Sequence, residues 1–195
     1  MLHSTVRFCP ECAGTLNFRE IAGETRNHLV CERCGALYYD SPKVVVKCFV
    51  FHGRRLLWAQ RGIDPNYGLW AIPGGFLESG ESLVEGAVRE VREEAGVHLD
   101  PGWLQFYMTG SVTFVNQVHI AFRTVVGSDS CKPGIESLDC QFFSREEAPW
   151  DAMAYPEIEA AMVQAYDELE CGSFRVWQAE LGPGGYDRRP VSDTI

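Results

Sequence analysis

The chain has 195 residues, 46% of them hydrophobic and 23% charged, and carries a net charge of −10. That length supports one ordinary globular domain plus a small module. The acidic balance argues against a grip on a nucleic-acid backbone as the main business, since that needs clustered Lys and Arg, so a nucleic-acid partner is not expected. No apolar run reaches the roughly 18 residues of a membrane helix, so no membrane partner is expected either. The start, MLHSTVRFCPEC, lacks the apolar stretch of a secretory signal, which makes the cytoplasm the expected compartment. There, the eight cysteines read as thiolate ligands rather than disulfides.

Residues 1–40 read as a first module. Cys9 and Cys12 form one C-x2-C pair, and Cys31 and Cys34 form another after eighteen intervening residues. This is the spacing of a four-cysteine zinc site, with free or disulfide-bonded thiols as the alternative. A glycine follows each pair closely, Gly14 and Gly35, where the chain must turn tightly. Short strands are expected at 16–20 and 28–31, around a turn containing Gly23. So small a unit cannot bury enough apolar surface, so Zn²⁺ would supply its stability. Four thiolates leave no open position for water, so the zinc is structural.

Residues 41–172 read as an α/β domain. Strands are expected at 44–51 and 56–60 around the His52-Gly53 turn, then at 104–111, 119–126 and 140–143. Residues 82–95 read as a helix with a Ser82/Glu85 capping box and a terminal Gly96. Val84, Ala87, Val88, Val91 and Ala95 give it an apolar stripe. A second helix is expected over 156–170, with Ile158, Met162 and Leu169 on one side, ending at Gly172. Residues 173–195, with LGPGGYDRRP, read as an irregular tail.

The first helix crowds carboxylates together. On a helical wheel Glu90, Glu93 and Glu94 fall within about 100° of one another, on a face roughly 120° from the apolar stripe. They should therefore stay out of the core and converge, with Arg89 one turn from Glu93 to hold it. Pro73-Gly74-Gly75 supplies a backbone that can approach a ligand closely. Hard divalent cations such as Mg²⁺ are held by a few carboxylates together with substrate phosphates. On these residues alone a solvated acidic face stays open as the alternative.

The wider pattern is Gly75, five residues, Glu81, seven residues, then REVREEAGV over 89–97. It fills every fixed position of G-x5-E-x7-R-E-U-x-E-E-x-G-U, where U is a bulky aliphatic. The chain thus resembles the Nudix hydrolases. The resemblance implies an α/β/α sandwich with a mixed sheet, and cleavage by Mg²⁺ or Mn²⁺ of a nucleoside diphosphate linked to another moiety. It implies that Glu90, Glu93 and Glu94 bind metal, with the Gly74 carbonyl as a further ligand. It gives Arg89 the task of orienting Glu93, and Glu81 a hydrogen bond and negative field. A general base from outside the motif is expected at Glu136 in PGIESLD, with Asp139 as rival and a surface acid as the bland alternative.

A cysteine module ahead of this domain resembles two groups. NADH pyrophosphatases, which also remove nicotinamide caps from RNA, carry S-Q-P-W-P-F-P-x-S after the motif. Here 107–122 read YMTGSVTFVNQVHIAF instead. The plant FAD and ADP-ribose pyrophosphatase group is closer, through SPKVVV, RGIDPNYGLW at 61–70 and PGIESL at 133–138. A small-molecule dinucleotide such as FAD or ADP-ribose is therefore the expected substrate, with NADH, NAD or an NAD cap as the alternative. Trp70, Phe114, Tyr67 and Tyr107 are candidates to stack on a base, against core roles for each. Arg61 is a candidate phosphate contact, against a surface salt bridge. A nucleotide sensor and a zinc-ribbon adaptor are the non-enzymatic alternatives, and a homodimer is compatible with all of these.

Overall fold

A computed structural model describes residues 6–182 and 185–191, and its contacts divide the chain into Met1–Pro42 and Lys43–Ile195. In the first unit β1 (Leu16–Arg19), β2 (His28–Cys31) and β3 (Leu37–Tyr38) form an antiparallel sheet in that order. Its buried residues are Cys9, Leu16, Leu29 and Cys31, so half of this core is sulfur. Gly35 turns the chain with φ 72°. Gly14 serves a different end, because a Cβ there would stand 2.9 Å from Cys31 Sγ.

In the second unit a mixed sheet is assembled from β4 (Lys43–His52), β5 (Arg55–Arg61), β6 (Trp70–Ala71), β7 (Gly74–Phe76), β8 (Gln105–Val112), β9 (Gln117–Val125), β10 (Ser137–Phe143), β11 (Trp177–Gly182) and β12 (Gly185–Pro190). The order is β10-β5-β4-β9-β8-β11-β12, with β4–β9 and β8–β11 parallel. Alternation along β4 divides the core. Val46, Cys48 and Val50 join Ala87, Val91 and Ala95 of α1 (Leu83–Ala95), whereas Phe49 and Phe51 join Met162, Ala165 and Tyr166 of α2 (Glu159–Cys171). A helix thus covers each face of the sheet, giving the expected sandwich.

The capping box of α1 is formed: Glu85 N donates to Ser82 Oγ (3.3 Å) and Ser82 N to Glu85 Oε2 (2.7 Å). Gly96 closes the helix with φ 64°. The second helix starts later than expected, because Pro156–Ile158 form a 3-10 turn before α2.

Residues 173–195 are not an irregular tail where they are described. β11 adds to β8, and β12 pairs with β11 from Trp177↔Pro190 to Gly182↔Gly185. The alternation of Trp177, Ala179 and Leu181 against Gln178 and Glu180 is a strand period, with Ala179 and Leu181 buried. Gly182 and Gly185 are the last described pair of this ladder rather than an end of structure. Residues 183–184 and 192–195 of that reading, and 1–5 of the first module, lie outside the described residues.

The central strands do not stay paired. β4 meets β5 only at Phe51↔Leu56 and His52↔Arg55. Beyond that they splay, β7 pairing with β4 at residues 45–47 and β6 with β5 at 59–60. The opening between them holds the site.

Candidate active site

Arg89 organises the acidic end of α1. Its Nε and Nη2 donate to the two oxygens of Glu81 (3.0 and 2.8 Å), and Nη1 donates to Glu90 (2.7 Å) and Glu93 (3.1 Å). Nη2 also donates to the Phe76 carbonyl at 3.1 Å, tying the helix to the end of β7. The guanidinium therefore does more than orient Glu93: it gathers three carboxylates and a backbone oxygen through one rigid fork. Its hydrogen bonds hold the Glu81 carboxyl below the usual carboxylate range, helped by the Glu78 amide at 2.8 Å.

The acidic face does not stay out of the core as its wheel position suggested. Glu90 is only 9% exposed, because β7 lies across it. A Cβ on Gly75 would stand 2.5 Å from Glu90 Oε1, so this position needs glycine for close approach. A Cβ on Gly74 would collide with the Val46 carbonyl. Glu94 accepts the Gly74 N–H at 3.1 Å. Burial pushes Glu90 above the usual carboxylate range, and the charges of Glu93 and Glu136 push the same way against Arg89. Burial pushes Glu94 up to about 7, while the Gly74 amide and Lys47 pull it down. Glu93 stays half-exposed on Arg89.

Glu136 reaches this place through a docked loop. Lys132 N donates to the Ala95 carbonyl (2.9 Å) and Gly134 N to the Glu94 carbonyl (3.2 Å) at the end of α1. A side chain at Gly134 would collide with the Glu93 carbonyl. Gly62 N then holds the Glu136 carbonyl at 2.7 Å. As a result Glu136 lines one small polar cleft with Glu94, Gly74, Lys47, Arg61, Ser137 and Tyr155. Asp139 instead caps the backbone of Cys140 and does not line the cleft.

The substrate candidates separate. Arg61 lines the cleft, with its Nε on the Pro65 carbonyl at 2.9 Å. Trp70 packs edge-on against Phe143 (centroids 5.2 Å) and onto the main core, so its ring is not a free platform. Phe114 sits in the turn Thr113–Val115 and is absent from the cleft lining. Tyr107 is fully buried and donates to Glu168 at 2.6 Å, which removes it as a base-stacking residue. Tyr67, 60% exposed, keeps that option. Lys47, Ser137 and Tyr155 of the cleft were missed. Lys47 had a signal, a lysine interrupting the apolar run VVVKCFVF; Tyr155 had none.

The donor sets fit the expected metals differently. The four Sγ atoms of Cys9, Cys12, Cys31 and Cys34 lie within 4.8 Å of one another. The Cys9–Cys34 separation is 3.8 Å and the Cys12–Cys31 separation 3.4 Å, close to the edge of a tetrahedron built on ~2.3 Å Zn–S bonds. The Cys34 and Arg33 amides point at Cys31 Sγ and draw its pKa down to about 6; at Cys34 the Ala36 amide pulls the same way, but the Cys12 and Cys31 thiols outweigh it and push the pKa up to about 12. Among the described residues, the glutamates are not gathered so closely. They still offer hard oxygens, and desolvation raises the pKa of buried Glu90 and half-buried Glu94, a strain that a divalent cation would relieve.

A family model for the NUDIX domain matches residues 41–179, most of the chain, and a zinc-ribbon model described as Nudix N-terminal matches 7–40. The chain belongs to the Nudix hydrolase family. It is 29% identical over 146 residues to an NAD-capped RNA hydrolase of Vibrio parahaemolyticus, covering 74% of this chain and 54% of that protein. It is 28% identical over 178 residues to the human mitochondrial NAD(P)H pyrophosphatase, covering 90% of this chain and 47% of that one. The chain thus spans about half the length of the curated relatives it matches. A crystal structure of a NUDIX hydrolase from Nitrosomonas europaea superposes with TM-score 0.83 at 31% identity, covering 90% of this chain and 99% of that one. No helix among the described residues is long and apolar enough to cross a membrane.

Proposed function

We propose that this Nudix protein hydrolyses the diphosphate of a nicotinamide dinucleotide, free or at the end of an RNA, to two monophosphate products. The carrying observation is a polar cleft that brings Glu94 of the motif together with Glu136, Lys47 and Arg61, on the helix whose Glu90 and Glu93 are gathered by Arg89. The relatives support nicotinamide over the FAD or ADP-ribose read from the sequence. They also remove the argument from acidity against nucleic acid. A capped RNA can be recognised by its dinucleotide end, which does not need a basic groove.

Glu90, Glu93, Glu94 and the Gly74 carbonyl would hold Mg²⁺ or Mn²⁺, which when bound neutralises the diphosphate oxygens and acidifies water. Arg89 keeps Glu90 and Glu93 oriented, so little reorganisation is required at the reacting centre. The Gly74 amide fixes Glu94 in the same way. Glu136, which lines the cleft with Glu94, is the residue to accept the proton of the attacking water. The phosphorus–oxygen bridge breaks and the leaving monophosphate takes the electron pair. A sensor or adaptor role would not need every position of the motif intact. The expected compartment remains the cytoplasm.

FAD or ADP-ribose is the second reading, favoured by the lack of S-Q-P-W-P-F-P-x-S in residues 107–122. Matched assays with Mg²⁺ and with Mn²⁺ decide. NADH or NAD-capped RNA should show the higher kcat/KM, and a clear preference for FAD or ADP-ribose would restore the second reading. No phosphoester product from any of them would leave only the sensor or adaptor.

A further inference from the structure

Lys47 lies in the central strand β4 between buried neighbours, and its side chain reaches the cleft. Among the described residues its Nζ has no hydrogen bond and no ion pair; it stands over the Tyr155 ring, 5.6 Å from the centroid. Arg61 stands over the same ring at 5.7 Å, and only its Nε has a hydrogen-bond partner among the described residues. Lys47 is half-buried, and an ammonium partly screened from water is best met by an anion. Glu94 and Glu90 are near enough to feel the Lys47 charge, yet Glu94 binds the Gly74 amide and Glu90 binds Arg89. His119 is nearby, and burial with the Lys47 charge pushes its pKa down to about 4, so it is neutral at pH 7 and adds no competing cation.

The cleft therefore brings carboxylates together with two cations that make no ion pair among the described residues. A lone phosphate or a lone metal ion would answer only one of these sets. A diphosphate answers both, because its two anionic groups are joined in series. We propose that Lys47 and Arg61, spaced by the Tyr155 ring, anchor the phosphate lying away from the Glu90, Glu93 and Glu94 face, and so set substrate affinity. This rests on the diphosphate-hydrolase reading above. Tyr155 is the positioning residue, since its ring faces both cations.

Lys47→Met keeps the apolar stem against Tyr155 and removes the charge, while Lys47→Arg keeps the charge. At saturating Mg²⁺ the Met variant should raise KM for the dinucleotide by about 10-fold or more with kcat little changed, and Arg should recover most of the loss. Apart from catalysis, AMP binding to the zinc-loaded full chain without added Mg²⁺, followed by calorimetry, should weaken by a similar factor. Unchanged KM with unchanged AMP affinity overturns the anchor. So does a Met variant whose change is tighter Mg²⁺ binding alone, the result if Lys47 merely balances Glu94. Should Lys47→Met not fold, Arg61→Met carries the same expectations. A parent protein that binds AMP through Lys47 yet hydrolyses no dinucleotide would uphold the anchor and sink the hydrolase reading instead.

Discussion

In the ribbon, four sulfur atoms stand within 4.8 Å of one another beside a core of Leu16 and Leu29. In the Nudix unit, Glu90 and Glu93 lean on Arg89 and Glu94 on the Gly74 amide, and two apolar clusters hold the sheet between its helices. The contrast separates two uses of metal. A site whose ligands make up half the core is part of the fold. A site whose ligands are held by an arginine and a backbone amide, beside large cores, leaves folding to the cores and keeps its oxygens for ligands.

The largest effect should come from breaking the ribbon. Zinc contributes on the order of 10 kcal/mol in comparable modules, more than this core can replace. Cys9→Ser should therefore unfold residues 8–39 and release close to one zinc per chain, while the Nudix unit stays folded. Metal analysis together with amide exchange on the full chain checks both halves. A folded ribbon without zinc would mean that the sulfur cluster is not what holds it.

In the Nudix unit the corresponding loss should appear in rate, not in folding. Glu94→Gln keeps the shape and the Gly74 hydrogen bond but removes a charge facing the metal and the diphosphate. Activity at limiting Mg²⁺ should fall by roughly 10²-fold or more. Glu85→Gln, at the capped end of the same helix, should leave most of it. Near-full activity in Glu94→Gln would sink the metal role given to this face.

What the sequence revealed follows from how local each signal is. The cysteine pairs, the α1 caps and the Nudix motif are spacings along a continuous stretch, so they could be read directly. The burial of Glu90 could not, because the wheel knows only its own helix and β7 lies across from elsewhere. Lys47, Arg61, Glu136 and Tyr155 meet only through the splaying of β4 from β5 and the docking of the 131–136 loop on α1. The β11–β12 hairpin was obscured by its glycines, although Trp177-Gln178-Ala179-Glu180-Leu181 already alternates.

The smallest effect tests the carboxylate side of the contrast without catalysis. In protein with zinc but no added Mg²⁺, burial pushes the Glu94 carboxyl up to about 7, above the ordinary value of 4.5. Between those pH values the unfolded chain has released this proton and the folded chain still holds it. The folded state then binds more protons, so raising the pH through this window lowers stability. Below it both forms are protonated and the contribution is intact; above it the loss is complete. Glu94→Gln has no proton to lose, so its Nudix melting temperature should fall less between pH 4.5 and 7.5 than that of the parent. Comparing the two cancels the opposite contribution of Glu81, which Arg89 holds down in both. Added Mg²⁺ at pH 7.5 should raise the parent melting temperature more than the mutant one, because binding to the folded state alone stabilises it. Parallel pH profiles for the two proteins would show that the half-buried Glu94 charge costs the fold nothing. The case for a carboxylate kept strained until metal arrives would then be lost.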